Sequence, residues 1–185
     1  MTNRVSQSDS AFHLLLRKQI RHEFTASQQY VAVAVYFDTN KLPQLARRFY
    51  QQATEEREHA LMMVQYLLDR DVPVSVGTLG EVRADFESLR DAVELAYSQE
   101  KAVTDEITAL ARTARESNDY LGEQFIAWFL EAQVQEMASM NTLLTVIDRA
   151  AGNTFDIEEF VARELRAPVR SSAPAPKLAG ASALA

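Results

Sequence analysis

The sequence predicts an all-α protein with four long helices and a short fifth one. Three observations point there. Four runs of the chain each carry apolar residues at three- and four-residue spacing, which places them on one helix face. Glycine and proline, five of each, fall almost entirely between those runs or in the last twenty residues. Each apolar stripe is interrupted near mid-height by a polar residue, so the four interruptions can meet inside one bundle.

The first run extends from about Asp9 to Asp38 and has neither glycine nor proline, with Ser8 or Asp9 as its N-cap. A turn over 39–42 leads to Pro43, a residue suited to the first turn of a helix, and the second helix runs to about Asp71. Pro73, Gly77 and Gly80 mark a connection with an extended reading through 72–76. The third helix starts at Glu81 or Arg83 and ends near Arg115. Ser117, Asn118 and Asp119 form a turn that caps the fourth helix, which ends near Ala150, before Gly152. Asn153 and Thr154 open a fifth helix whose apolar residues are Phe155, Ile157, Phe160 and Val161. The domain therefore covers residues 9–165, between a flexible N-terminus over 1–8 and a disordered Ala-, Pro- and Ser-rich tail over 166–185.

Each long helix measures roughly 42–50 Å at 1.5 Å per residue. Short turns make the first and second helices antiparallel, and likewise the third and fourth. A connection of about ten residues reaches about 35 Å at 3.3–3.6 Å per residue, so it can cross a bundle end or run the bundle's length.

The stripes locate the chemistry. They read Leu16, Ile20, Glu23, Ser27, Tyr30, Ala34, Phe37 in the first helix and Phe49, Ala53, Glu56, Ala60, Met63, Leu67 in the second. The third is Val93, Ala96, Glu100, Val103, Ile107, Leu110, Ala114, and the fourth Ile126, Phe129, Gln133, Glu136, Met140, Leu143, Ile147. His59 follows Glu56 by three positions, on the same side. Four carboxylates, one imidazole and one amide thus point into one interior. An unpaired buried carboxylate costs several kcal/mol. No Lys or Arg stands in the stripes, and His59 offsets at most one charge. Two divalent cations would bring the four positive charges that the carboxylates call for. Oxygen donors with one imidazole suit iron, manganese or zinc.

Composition narrows the function. The formal charge of −7 argues against a general nucleic-acid binder and suits a protein that handles cations. The absence of cysteine excludes disulfides, iron–sulfur clusters and thiolate zinc sites, and fits a cytoplasmic setting. The polar first ten residues lack a secretory h-region, and no run of about 18 apolar residues offers a membrane span. His13, His22, Glu58 and the Arg47–Arg48 pair read as surface or boundary residues, and Glu55 reads by default as a solvated charge. Met62, Met63, Met137 and Met140 read as packing residues.

Di-iron carboxylate bundles carry a Glu from each of two helices and Glu-x-x-His from the other two. This chain meets the pattern with Glu23, Glu56-x-x-His59 and Glu100, and departs from it with Gln133-x-x-Glu136 on the fourth helix. With the phrases over 22–30, 55–60 and 122–129, it resembles the non-haem bacterial ferritins over about residues 9–165. The resemblance implies a ferritin-like four-helix bundle with a long crossover between the second and third helices. It also implies an iron-storing ferroxidase that forms a 24-subunit shell around a ferric mineral. Glu23, Glu56 and His59 would hold a first iron. Glu56 would bridge to a second iron held by Glu100, with Gln133 nearby and Tyr30 and Trp128 beside the pair. Dioxygen or hydrogen peroxide would be the oxidant. Glu55 and Glu136 match a third iron position, but Ala132 and Gln135 stand where relatives have further acids. Arg57 replaces the haem-binding Met of bacterioferritins, so no haem is expected.

Two rivals are weaker. A di-iron oxidase of organic substrates needs a substrate channel and a reductase. A DNA-protecting mini-ferritin places its site between subunits and lacks the fifth helix, and Arg170 and Lys177 are too few for a basic tail. The tail is expected to be a disordered extension, with docking in another compartment as the alternative.

Overall fold

The computed structural model describes residues 10–165 and 174–181. Five helices follow in order: α1 (Ala11–Thr39), α2 (Pro43–Asp69), α3 (Leu89–Glu116), α4 (Tyr120–Ala150) and α5 (Thr154–Glu164). The predicted flexible segment 1–8 lies outside the described residues, as do 166–173 and 182–185. The caps follow residue chemistry. Ser10, rather than Ser8 or Asp9, accepts from His13 N–H; Asp119 accepts from Gly122 N–H and Asn153 from Phe155 N–H. Pro43 sits in the first turn of α2. Lys41, Asp71, Asn118 and Ala151 have positive φ just past the helix ends, which turns the chain out of each helix.

The start of α3 is the largest departure from the sequence reading. Glu81 and Arg83 belong to the connection, and the helix begins only at Leu89. The reason is local. The Gln29 amide donates to Arg83 C=O at 2.6 Å and accepts from Arg83 N–H at 2.7 Å. Those backbone groups are therefore taken by α1. Ser88 then caps the helix by accepting from Asp91 N–H.

The connection runs lengthwise. Arg17 donates to Pro73 C=O at 2.8 Å, and Thr25 Oγ1 accepts from Gly80 N–H at 2.9 Å. Further along α1, the rings of Tyr36 and Phe86 lie 5.2 Å apart. Arg17, Thr25, Gln29 and Tyr36 climb α1 as the connection climbs beside it. Consequently α3 runs antiparallel to α1, with Glu100 opposite Tyr30 and Glu106 opposite His22.

Two apolar clusters fill the two ends. One gathers Phe37, Leu45, Phe49, Ala96, Leu143 and Ile147 with Ile157 and Val161 of α5. The other gathers Phe12, Leu16, Ile20, Met63, Leu67, Ile107, Leu110 and Phe129. Gly122 is needed here: a Cβ would stand 2.8 Å from Phe12 Cε1. On α5 Phe160 is half-buried, while Phe155 is 84% exposed and does not join the apolar face. Part of the tail expected to be disordered is placed. Leu178 and Ala179 pack on the second cluster, and Ala179 N–H donates to Leu61 C=O at 3.1 Å.

Candidate metal centre

Between the two apolar clusters lies a layer of buried polar side chains. Glu23 of α1, Glu56 and His59 of α2, Glu100 of α3, and Gln133 and Glu136 of α4 are all buried, as the stripes predict. One ligand atom each from Glu23, Glu56 and His59 lies within 4.8 Å of the others, a spacing that a single cation can span. His59 Nδ1 is 3.2 Å from Glu56 Oε2. The other half is built differently. Glu100 accepts from Tyr30 O–H and, at 2.8 Å, from the Gln133 amide, which also donates to Glu100 C=O at 3.1 Å. Glu100 does not join the Glu23–Glu56–His59 triangle.

Two glutamines missing from the sequence reading support this layer. Gln19 donates to Glu23 Oε1 at 2.9 Å. Gln52 donates to Glu136 Oε2 at 2.8 Å and to Glu56 Oε1 at 3.2 Å, joining α2 to α4. Each stands four residues before its glutamate, so a repeated Gln-x-x-x-Glu spacing was the available signal. Glu23 Oε2 remains buried with no hydrogen-bond partner.

Arg48 corrects the sequence reading. Arg47 is exposed, but Arg48 is only 3% exposed. Its guanidinium lies 3.6 Å from Glu136 and 3.9 Å from Glu55. Glu55 is likewise no solvated charge, since both its carboxylate oxygens are buried. Consecutive helical residues point about 100° apart, so Arg47 and Arg48 have opposite fates although they are adjacent in sequence. Glu58 is exposed, and exposed His22 pairs with Glu106 at 2.8 Å. His13 is half-buried, 3.9 Å from Asp119.

Aromatic rings wall the centre. Trp128 and Phe129 each place their ring 5.6 Å from His59, and Tyr30 packs on Phe49 at 5.8 Å. This low-dielectric wall governs the protons. Burial and neighbouring Glu56 push Glu23 well above the usual carboxylate range. The same causes, joined by Glu136, raise Glu100 to about 8. Burial and Glu136 raise Glu55 to about 8, against the pull of Arg48. Burial and Glu56 also raise Glu136. Burial opposes a charge on His59, yet the Glu56 hydrogen bond and the surrounding carboxylates lift it to about 10. Burial likewise opposes a charge on Glu56, but the His59 hydrogen bond holds it below its ordinary value. Without a cation, the layer therefore settles on a His59–Glu56 ion pair and retains protons on neighbouring acids.

Fold and site together define a four-helix bundle with a layer of carboxylates buried in its core. The ferritin-like domain family matches residues 14–150. The chain is 55% identical over 172 residues to ferritin BfrB of Mycolicibacterium smegmatis, covering 93% of this chain and 94% of that protein. It is 34% identical over 134 residues to the bacterial non-heme ferritin of Staphylococcus aureus strain MRSA252, covering 72% and 81% respectively. Its fold is shared with an open pore ferritin from Archaeoglobus fulgidus at a TM-score of 0.79 and 24% identity, covering 82% and 93% of the two chains. The chain belongs to the bacterial ferritin family.

Proposed function

We propose that this protein stores iron and oxidises it on entry, with the buried centre as its ferroxidase site. The carrying observation is the convergence of Glu23, Glu56 and His59 within 4.8 Å, beside Glu100 and Gln133, midway between two apolar clusters. Family membership and the ferritins it resembles support storage. In this reading Glu23, Glu56 and His59 bind one Fe²⁺. Glu56 also faces a second Fe²⁺, bound by Glu100 with Gln133 beside it.

The two Fe²⁺ ions are substrates and together give two electrons. Dioxygen accepts them with two protons to give hydrogen peroxide, or hydrogen peroxide accepts them with two protons to give two waters. Hard anionic carboxylates favour Fe³⁺ over Fe²⁺, which drives the oxidation. Tyr30 holds Glu100 in place through its hydroxyl. A neutral amide at Gln133 binds the second ion less tightly than a carboxylate would, which suits a product that must leave for a mineral.

The assembly in this reading is a 24-subunit shell in the cytoplasm. Large exposed apolar side chains support a partnered surface: Tyr120 (72%), Leu121 (61%), Val134 (71%) and Phe155 (84%). Among the described residues, no helix is long and apolar enough to cross a membrane.

The test is aerobic addition of Fe²⁺ to purified protein, with ferric absorbance followed and retained iron counted after gel filtration. Storage predicts rapid oxidation and far more than two irons per subunit in a large particle. Oxidation with only about two retained would indicate a di-iron oxidase of another kind. No oxidation would refute the site.

A further inference from the structure

Among the described residues, Arg48 is the single buried Lys or Arg. It lies at the edge of the centre rather than on the protein surface. Its Nη2 donates to Ser139 Oγ at 3.3 Å and stands 3.6 Å from Glu136 Oε2. Its Nη1 is 3.9 Å from Glu55 Oε2. That nitrogen and both Glu55 oxygens are buried without hydrogen-bond partners, so each faces the other's unmet demand. Glu55 and Glu136 are also the two carboxylates that family resemblance would give to a third iron. Beside Glu136, the fourth helix carries Ala132 and Gln135 rather than further acids at the neighbouring positions.

Charge decides between the two occupants. The centre and its edge hold five carboxylates: Glu23, Glu55, Glu56, Glu100 and Glu136. Two Fe²⁺ ions neutralise four of them, and His59 is a neutral imidazole when it binds metal. Arg48 neutralises the fifth. A third divalent ion beside Arg48 would leave two uncompensated positive charges in a buried layer, which is strongly unfavourable.

We propose that Arg48 stands in place of a third metal ion, holding Glu55 and Glu136 and limiting the centre to two cations. The proposal rests on the dinuclear reading above. Arg48 acts as a specificity-determining residue without touching the substrate ions. It also explains how a buried carboxylate pair persists with so few other donors around it.

The test is an anaerobic titration of the assembled, iron-free protein with Co²⁺, counting bound ions per subunit by elemental analysis and calorimetry. Wild type should bind two at the centre. Arg48→Gln removes the resident charge and should bind three, Arg48→Lys should stay at two, and adding Glu55→Gln to Arg48→Gln should return the count to two. Three ions in wild type, or two in Arg48→Gln, would overturn the proposal. No ions in wild type would sink the dinuclear reading and this proposal with it. A second measurement does not depend on the variants folding: anomalous diffraction at the cobalt edge from wild-type crystals. Two peaks per subunit with none between Glu55 and Glu136 would support the assignment, and a peak there would defeat it.

Discussion

The two ends of the bundle and its middle layer are made from the same four helix faces, yet they obey different physics. At the ends, stripes of Phe, Leu, Ile and Met bury apolar surface and need nothing else. In the middle, the same stripes bury acids that are held by protons, by two supporting glutamines and by Arg48. The ends supply stability, and the middle draws on it. The difference shows that a site can be recognised as the place where a helical pattern continues but its chemistry changes.

The strongest way to break this comparison is to remove Glu56, the residue proposed above to serve both ions. Glu56→Ala should abolish rapid Fe²⁺ oxidation, by about 10²-fold or more if both ions depend on it, while the shell still assembles. Stopped-flow ferric absorbance and particle size check the two halves of that statement, and unchanged initial oxidation would remove Glu56 from the site. The opposite dissociation is expected at an end. Leu67 is fully buried, so Leu67→Ala should cost about 2–5 kcal/mol of stability. Denaturant unfolding would show it, with oxidation per folded subunit close to wild type.

The pH dependence should also divide the layers. Glu100 rises to about 8 in the fold from a carboxylate's ordinary value near 4.5, so the metal-free fold loses stability as pH rises through that window. His59, lifted to about 10, gives a contribution that is present at low pH and lost as pH climbs through the folded value. Metal must displace these protons, so fewer oppose it at higher pH. The thermal midpoint difference between Zn²⁺-loaded and metal-free protein should therefore widen from pH 6 to pH 8. A constant difference would show that the acids are not the metal's partners.

Smaller effects sharpen the picture. Gln133→Glu should tighten the second ion on the order of tenfold, the worth of about 1.4 kcal/mol, and slow passage of iron to the mineral. Equilibrium binding and iron retention would reveal both. Leu178→Ala should cost about 1 kcal/mol or less, because that side chain is only half-buried. A thermal shift beyond a few degrees would mean that the tail does more than cover α2.

Much of this was legible in the chain. The stripes named Glu23, Glu56, His59, Glu100, Gln133 and Glu136 as inward-facing, and all six are buried, because a helix face repeats with a fixed period and an acid in phase with leucines has nowhere else to point. Arg48 was not legible, since its fate depends on Glu55, Glu136 and Ser139, one of them on α2 and two on α4. Gln19 and Gln52 were half legible: their four-residue spacing was visible, but the cross-helix bond from Gln52 to Glu136 was not. The start of α3 failed for the same reason, because Gln29 on α1 takes Arg83's backbone groups. The tail at 178–179 depended on a surface of α2 that composition alone does not describe.

By itself, then, the sequence determined the number and order of the helices, the caps of the fourth and fifth, the apolar faces of the four long ones and the level at which acids enter the core, since these follow from local spacing and from residues a few positions apart. Tertiary structure alone decided the lengthwise path of the connection, the burial of Arg48 and the partner of each carboxylate. Those depend on groups far apart in the chain meeting in a medium of low dielectric, where an unpaired charge is too costly to leave and each polar atom must find its partner in space.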